Sequence, residues 1–238
     1  MKIIQYIKHW IGFIGTIYVR WIYKVQYNRQ KFTRLNERPV EFSFVFRKIT
    51  EIWPKTILDV GTGMTALPSL LRSTGLIVTA VDNIKDYWPA GMVNNHYYVI
   101  NDDIQNSSIV STFDVITCIS VLEHIKDHRS AMRSMFRLLN PGGVLILTCP
   151  FSSHKYVENV YELADSEVKT LPSFSTQSFS DKERQDWIDD SLFELVDEEY
   201  WQYYDGDFWT CGGVMKKIKK VPKTERHQLC CMALRKPN

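Results

Sequence analysis

No Cys-x-x-Cys pair occurs among the five cysteines, Cys118, Cys149, Cys211, Cys230 and Cys231, and their spacing fits no metal-ligand set. Neither a disulfide framework nor a bound metal is expected. An odd number of thiols without a pairing pattern reads as reduced and buried, in an intracellular protein. Net charge is nearly absent as well: Lys plus Arg is 29, Asp plus Glu is 27, and the balance is +2. A whole-surface basic grip on nucleic acid is therefore not indicated. Within residues 2–27 no stretch free of Lys, Arg and His exceeds the ten residues Trp10–Val19. A bilayer needs about 20 apolar residues, so a transmembrane span is not expected there. Tyr-Val-Arg-Trp after that run lacks the small residues of a secretory cleavage site.

What is present suits one globular domain with an appendage. The chain has 238 residues, 45% of them hydrophobic and 24% charged, enough for a full core. The charge is unevenly placed. Residues 1–56 carry a net +8, residues 57–209 a net −13 and residues 210–238 a net +7. An acidic centre suits a polyanion poorly and a cationic ligand better.

Residues 1–36 hold seven Lys or Arg and no acid. Ile3, Ile7, Trp10, Ile14, Ile17 and Trp21 recur at steps of four and three, one stripe of a helix. Two readings stand: a helix in a membrane interface, giving peripheral attachment, or a lid packed over a catalytic domain. Asn36–Pro39 then reads as a linker. Residues 40–53 read as a second helix with Phe42, Val45, Phe46, Ile49 and Trp53 inward.

From residue 56 short apolar runs alternate with amphipathic ones. Strands are predicted at 56–61, 76–82, 96–102, 111–120 and 143–150, and helices at 65–74 and 127–139. A sixth strand is predicted at 193–204 and a last at 228–234. Ser180 and Glu183 form a capping box opening a helix over 181–192. The pattern is a doubly wound α/β fold, a mostly parallel seven-stranded sheet with helices on both faces. Ligands in such sheets sit beyond the carboxyl ends of the strands.

The residues at those ends are specific. Asp59-Val60-Gly61-Thr62-Gly63 follows the first strand; Gly61 and Gly63 permit a tight turn and close approach to a ligand. Asp82 ends the second strand, where a carboxylate can accept both hydroxyls of a ribose. Asp103 and Ile104 end the third, one able to accept an adenine amino group and the other to cover the ring. The fourth gives Phe113-Asp114-Val115-Ile116-Thr117-Cys118-Ile119-Ser120-Val121-Leu122-Glu123-His124-Ile125. The turn Leu139-Asn140-Pro141-Gly142-Gly143 opens the fifth.

Five such motifs in this order resemble the class I S-adenosylmethionine-dependent methyltransferases over residues 54–151. The V-L-E-H-I variant resembles the branch acting on small molecules, sugars and lipid-like substrates. The resemblance implies a final antiparallel strand between the fifth and sixth. It implies S-adenosylmethionine as cofactor: Asp59, Gly61 and Gly63 around its methionine part, Asp82 on the ribose, Asp103 and Ile104 on adenine, and Cys118 to Ser120 bordering the transferred methyl. It departs at Thr65, where the family usually has glycine, and at Asp102, where many relatives carry glycine. A dinucleotide dehydrogenase would explain the glycines and Asp82 but not the later motifs.

The function expected is methyl transfer to a small-molecule or glycan acceptor, at oxygen. His124 and His154, beyond the fourth and fifth strands, are the candidate bases. A silent cofactor-binding scaffold and an RNA or protein methyltransferase are the alternatives. The −13 centre argues against nucleic acid, and Ser120 stands where metal-dependent RNA-end methyltransferases carry a glutamate. Residues 151–180 are read as a substrate-side insertion. Lys216, Lys217, Lys219 and Lys220 are read as lying in a loop. The expected location is the cytoplasm, with or without contact to the membrane's inner face.

Overall fold

The computed structural model describes residues 2–29, 36–63, 65–87, 98–168 and 174–238. The chain divides into two compact units, Met1–Pro39 and Val40–Asn238. In the first, α1 spans Lys2–Arg29 as one unbroken helix.

In the second unit, α2 (Arg38–Ile52) precedes an alternation of β1 (Thr56–Val60), α3 (Leu67–Ser73), β2 (Ile77–Asp82), α4 (Ile84–Tyr87), β3 (Val99–Asn101), β4 (Phe113–Ile119), α5 (His128–Leu138) and β5 (Leu139–Pro150). Then come α6 (Asp181–Ser191), β6 (Glu194–Tyr204), β7 (Val214–Val221) and β8 (Leu229–Arg235). The sheet order is β3-β2-β1-β4-β5-β8-β6-β7. β3, β2, β1, β4 and β5 pair parallel, and β8 runs antiparallel to both β5 and β6.

Alternation along each strand builds a core on either face. Ile116, Leu145, Leu147 and Met232 pack with Met132 and Met135 of α5 and Trp187 of α6. Their neighbours Val115, Val144, Ile146 and Ala233 pack with Phe44 and Val45 of α2 and Leu67 and Leu71 of α3. All five cysteines are buried free thiols. Ser180 caps α6, with Glu183 completing the box.

Three expectations are corrected. The sheet has eight strands, because the lysine-rich segment is β7, paired antiparallel with β6 at the sheet edge. Its lysines guard an edge that would otherwise offer unpaired backbone groups. In α2 the buried stripe is Glu41, Phe44, Val45, Lys48 and Ile49, rotated one position from the apolar pattern. Phe42 and Phe46 are half-buried, and Trp53 lies outside the helix at 81% exposure with φ +54°. Two polar residues take inward places because they have partners: the Lys48 amine donates to Asp197 of β6 at 2.6 Å, and Glu41 reaches the strand ends described below. The predicted third strand began at 96; residues 96 and 97 lie outside the described residues, and β3 holds Val99–Asn101.

One packing detail sets a pH response. The Trp187 indole N–H donates to His128 Nδ1 at 2.9 Å, so that nitrogen carries no proton. Burial, with the field of Arg129 adding to it, holds the His128 pKa below its ordinary value. A depressed histidine contributes stability that is present above the unfolded pKa, about 6.5, and declines as pH falls toward the folded value. Melting temperature is expected to drop on acidification below that point, and to drop less steeply in His128→Gln, whose amide oxygen still accepts from Trp187. Melting scans of both proteins across the acid range check this.

Candidate functional site

The turn after β1 is held from two sides. Val81 O at the end of β2 accepts the Gly61 N–H at 2.8 Å, and Asp82 Oδ2 accepts the Gly63 N–H at 2.8 Å. Both glycines are left-handed, at φ +67° and +52°. A Cβ on Gly61 would stand 2.3 Å from Val121 Cγ1. The turn therefore lies directly against the residue that follows the β4 loop, and only a bare Cα fits. Thr65 folds back onto the turn: its hydroxyl donates to Thr62 O at 3.0 Å.

Asp82 is 9% exposed, at the mouth of this turn. Through the bond to Gly63 it shapes the glycine loop. Asp59 is 2% exposed and accepts the Thr117 hydroxyl at 2.6 Å, bridging β1 to β4 beneath the turn.

At the end of β3 the two adjacent acids divide the work. Asp102 Oδ2 accepts Ser107 Oγ at 2.8 Å and the Ser108 N–H at 2.9 Å, fastening the loop. Asp103 caps the following turn through the Gln105 N–H at 2.9 Å, half-buried beside the buried Ile104.

At the end of β4, Cys118 is fully buried, and burial, with Glu123 and Asp59 nearby, pushes its thiol pKa up. Ser120 is half-exposed and strained, at φ +50°. Its hydroxyl donates to Glu41 Oε1 at 2.5 Å, and Thr148 Oγ1 of β5 donates to the same oxygen at 2.6 Å. Glu41 is 0% exposed. Sequence reasoning missed this carboxylate because α2 was read by its apolar spacing alone.

His124 Nδ1 lies 2.9 Å from Ser175 O, so Nδ1 donates and the neutral ring's basic nitrogen is Nε2. Nε2 is 4.0 Å from Glu123 Oε1, and the Phe174 ring meets the imidazole edge-on at 5.0 Å. Gln177 holds this loop: its side-chain amide donates to Glu123 O at 3.1 Å and Ile125 O at 2.9 Å, while Tyr156 donates to its oxygen at 2.8 Å. The segment after β5 thus packs on the β4 loop, and nothing in the sequence marked Gln177. His154 is exposed, with Nδ1 3.2 Å from Ser152 Oγ and its ring 6.1 Å from Phe208. Among the described residues no group of three His, Cys, Asp or Glu could hold a metal.

Known proteins agree with this architecture. The chain is 31% identical over 121 residues to a ubiquinone biosynthesis O-methyltransferase of Haemophilus ducreyi, covering 46% of this chain and 51% of that protein. A protein of the same name from Pasteurella multocida is 26% identical over 192 residues, 72% of this chain and 79% of that one. The chain thus spans about half the length of the first of these relatives. Among solved structures, the 1,6-didemethyltoxoflavin-N1-methyltransferase of Burkholderia thailandensis, with bound 1,6-didemethyltoxoflavin and S-adenosylhomocysteine, superposes with a TM-score of 0.56 at 14% identity. That match covers 95% of this chain and 90% of the other. A methyltransferase of Clostridium acetobutylicum gives 0.53 at 13% identity, covering 92% and 100%. These two likenesses show the fold. The family model described as methyltransferase domain matches residues 27–207, and the chain belongs to that family.

Proposed function

We propose that this chain transfers a methyl group from S-adenosylmethionine to a hydroxyl of a small molecule or a glycan. The observation that carries the reading is the β1 turn: two left-handed glycines, one pressed against Val121, with Asp82 at its mouth. A bulky ligand with a ribose fits such a bare turn beside a carboxylate. The relatives' printed name supports oxygen as the acceptor atom.

Asp82 would take the ribose hydroxyls while keeping its bond to Gly63. Asp103 and Ile104 would hold the adenine, with Asp103 exchanging part of its bonding to Gln105. Asp59 would act beneath the methionine part through the β1–β4 bridge, and Ser120 would border the methyl. When bound, S-adenosylmethionine supplies a methyl group already activated by its sulfonium. The chain's remaining task is to place an acceptor oxygen in line and to receive its proton. His124 Nε2 receives that proton, and Glu123 stabilises the resulting cation. His154, at the exposed rim beside Phe208, contacts the acceptor's far side.

Incubating the full chain with methyl-labelled cofactor and a panel of phenols, catechols and monosaccharides tests the proposal. Label in an extracted hydroxyl acceptor is expected; label only in RNA or protein would overturn it. His124→Gln is expected to lower kcat by about 100-fold or more. Its cofactor affinity should stay unchanged by calorimetry. His154→Gln is expected to raise KM and leave kcat within about threefold.

A further inference from the structure

α1 is 28 residues long, about 42 Å at 1.5 Å per residue. Within its own unit its apolar side chains have little cover: Ile3, Ile7, Trp10, Ile14, Ile17 and Trp21 are each more than half exposed. At about 100° per residue these six fall in one narrow arc, and Tyr6, Phe13, Ile4 and Ile11 widen it to about half the circumference. Gln5, Lys8, His9, Thr16 and Arg20 occupy the opposite face. A contiguous apolar face of this size on a water-exposed helix marks an interaction surface.

The charges identify the partner. Residues 2–29 include five Lys or Arg and no Asp or Glu. A helix that pairs with another helix ordinarily flanks its seam with both signs, so that partner charges match. Here the flanks are of one sign, which complements a surface that is uniformly anionic. Each Lys or Arg near such a surface adds to the attraction. The Trp and Tyr content is that of a membrane–water boundary. The helix is too interrupted to go further: among the described residues no helix is long and apolar enough to cross a membrane.

We propose that α1 lies in the plane of an anionic lipid surface, its Ile–Trp face among the acyl chains and Lys8 and Arg20 toward the headgroups. The attachment is independent of the methyl-transfer reading, since vesicle binding needs neither cofactor nor acceptor.

Flotation of the full chain tests it, with vesicles of phosphatidylcholine alone or with about one-third phosphatidylglycerol. The chain is expected to float with the anionic vesicles at least about tenfold more strongly than with neutral ones, and to be released by added salt. The double variant Ile7→Glu, Ile14→Glu is expected to lose flotation. Lys8→Glu, Arg20→Glu, which keeps the apolar stripe, is expected to lose the preference for anionic lipid. Failure of the full chain to float on either vesicle overturns the proposal, as does undiminished flotation of the Ile7, Ile14 variant. So does a lipid-free dimer that the same variant converts to monomer, because the stripe would then belong to a second copy. Unchanged melting temperatures in the variants are the check on folding.

Discussion

Gly61→Val is expected to weaken binding of S-adenosylhomocysteine by about 100-fold or more, which is about 2.7 kcal/mol. Two effects act together. A side chain at φ +67° costs about 1–2 kcal/mol in backbone strain. A Cβ 2.3 Å from Val121 Cγ1 must also displace a stiff β-branched neighbour. The turn yields first, because it lies outside the strands, and the cradle closes. The sheet below is untouched, so melting temperature is expected to stay within about 10 °C of the parent. Gly75 supplies the control: it is also left-handed, at φ +92°, but nothing lies within 4 Å of a Cβ placed there. Gly75→Ala is expected to keep full affinity. Adding Val121→Ala to the Gly61→Ala variant removes the two methyl clashes but leaves the Val121 Cβ contact at 2.9 Å and the strain, so only partial recovery is expected. Titration calorimetry on the parent and the four variants reads all of this, and an unchanged affinity in Gly61→Val would remove the turn from the binding site.

Glu41→Ala should be the most destabilising single change at the strand ends. The carboxylate is completely buried and accepts two hydroxyl donors on one oxygen. A hydrogen bond contributes about 0.5–1.5 kcal/mol and a donor stranded out of water costs about 1–3 kcal/mol, so a loss of roughly 2–4 kcal/mol is expected. For a unit of this size that is a fall in melting temperature of about 10 °C. Glu41→Gln retains an accepting oxygen and is expected to recover most of it. The consequence extends to the site, since Glu41 holds the hydroxyl of Ser120 where the backbone is strained at φ +50°. With the carboxylate gone, Ser120 relaxes and turnover falls in the folded fraction as well. If Glu41→Ala melts with the parent, α2 is not pinned through this residue.

The alternation of strands and helices from 56 to 150 was legible because it rests on local pattern: short apolar runs buried on both faces, such as β1 and β4, and a glycine turn after β1; the capping box at Ser180 marked α6 in the same local way. The insertion of β8 beside β5 came with the resemblance rather than with periodicity. β7 was not legible, because Met-Lys-Lys-Ile-Lys-Lys-Val repeats every three residues, and a strand shows a period of two. Glu41 escaped for a related reason. Its partners Ser120 and Thr148 are 79 and 107 residues away in sequence, so an inward-pointing acid carries no local signal. The same holds for Gln177, whose amide meets the carbonyls of Glu123 and Ile125 across more than 50 residues. Asp82 was recognised as an acid at a strand end, but its bond to Gly63 became visible only with the turn folded.

The central claim is that the β1 turn and Asp82 hold an adenosyl compound. Calorimetric titration of the full chain with S-adenosylhomocysteine tests this most directly. The expected result is one site per chain, with affinity falling about 10- to 100-fold in Asp82→Ala as the ribose hydroxyls lose their acceptor. A well-folded chain that releases no heat and shows no rise in melting temperature at saturating ligand would contradict it.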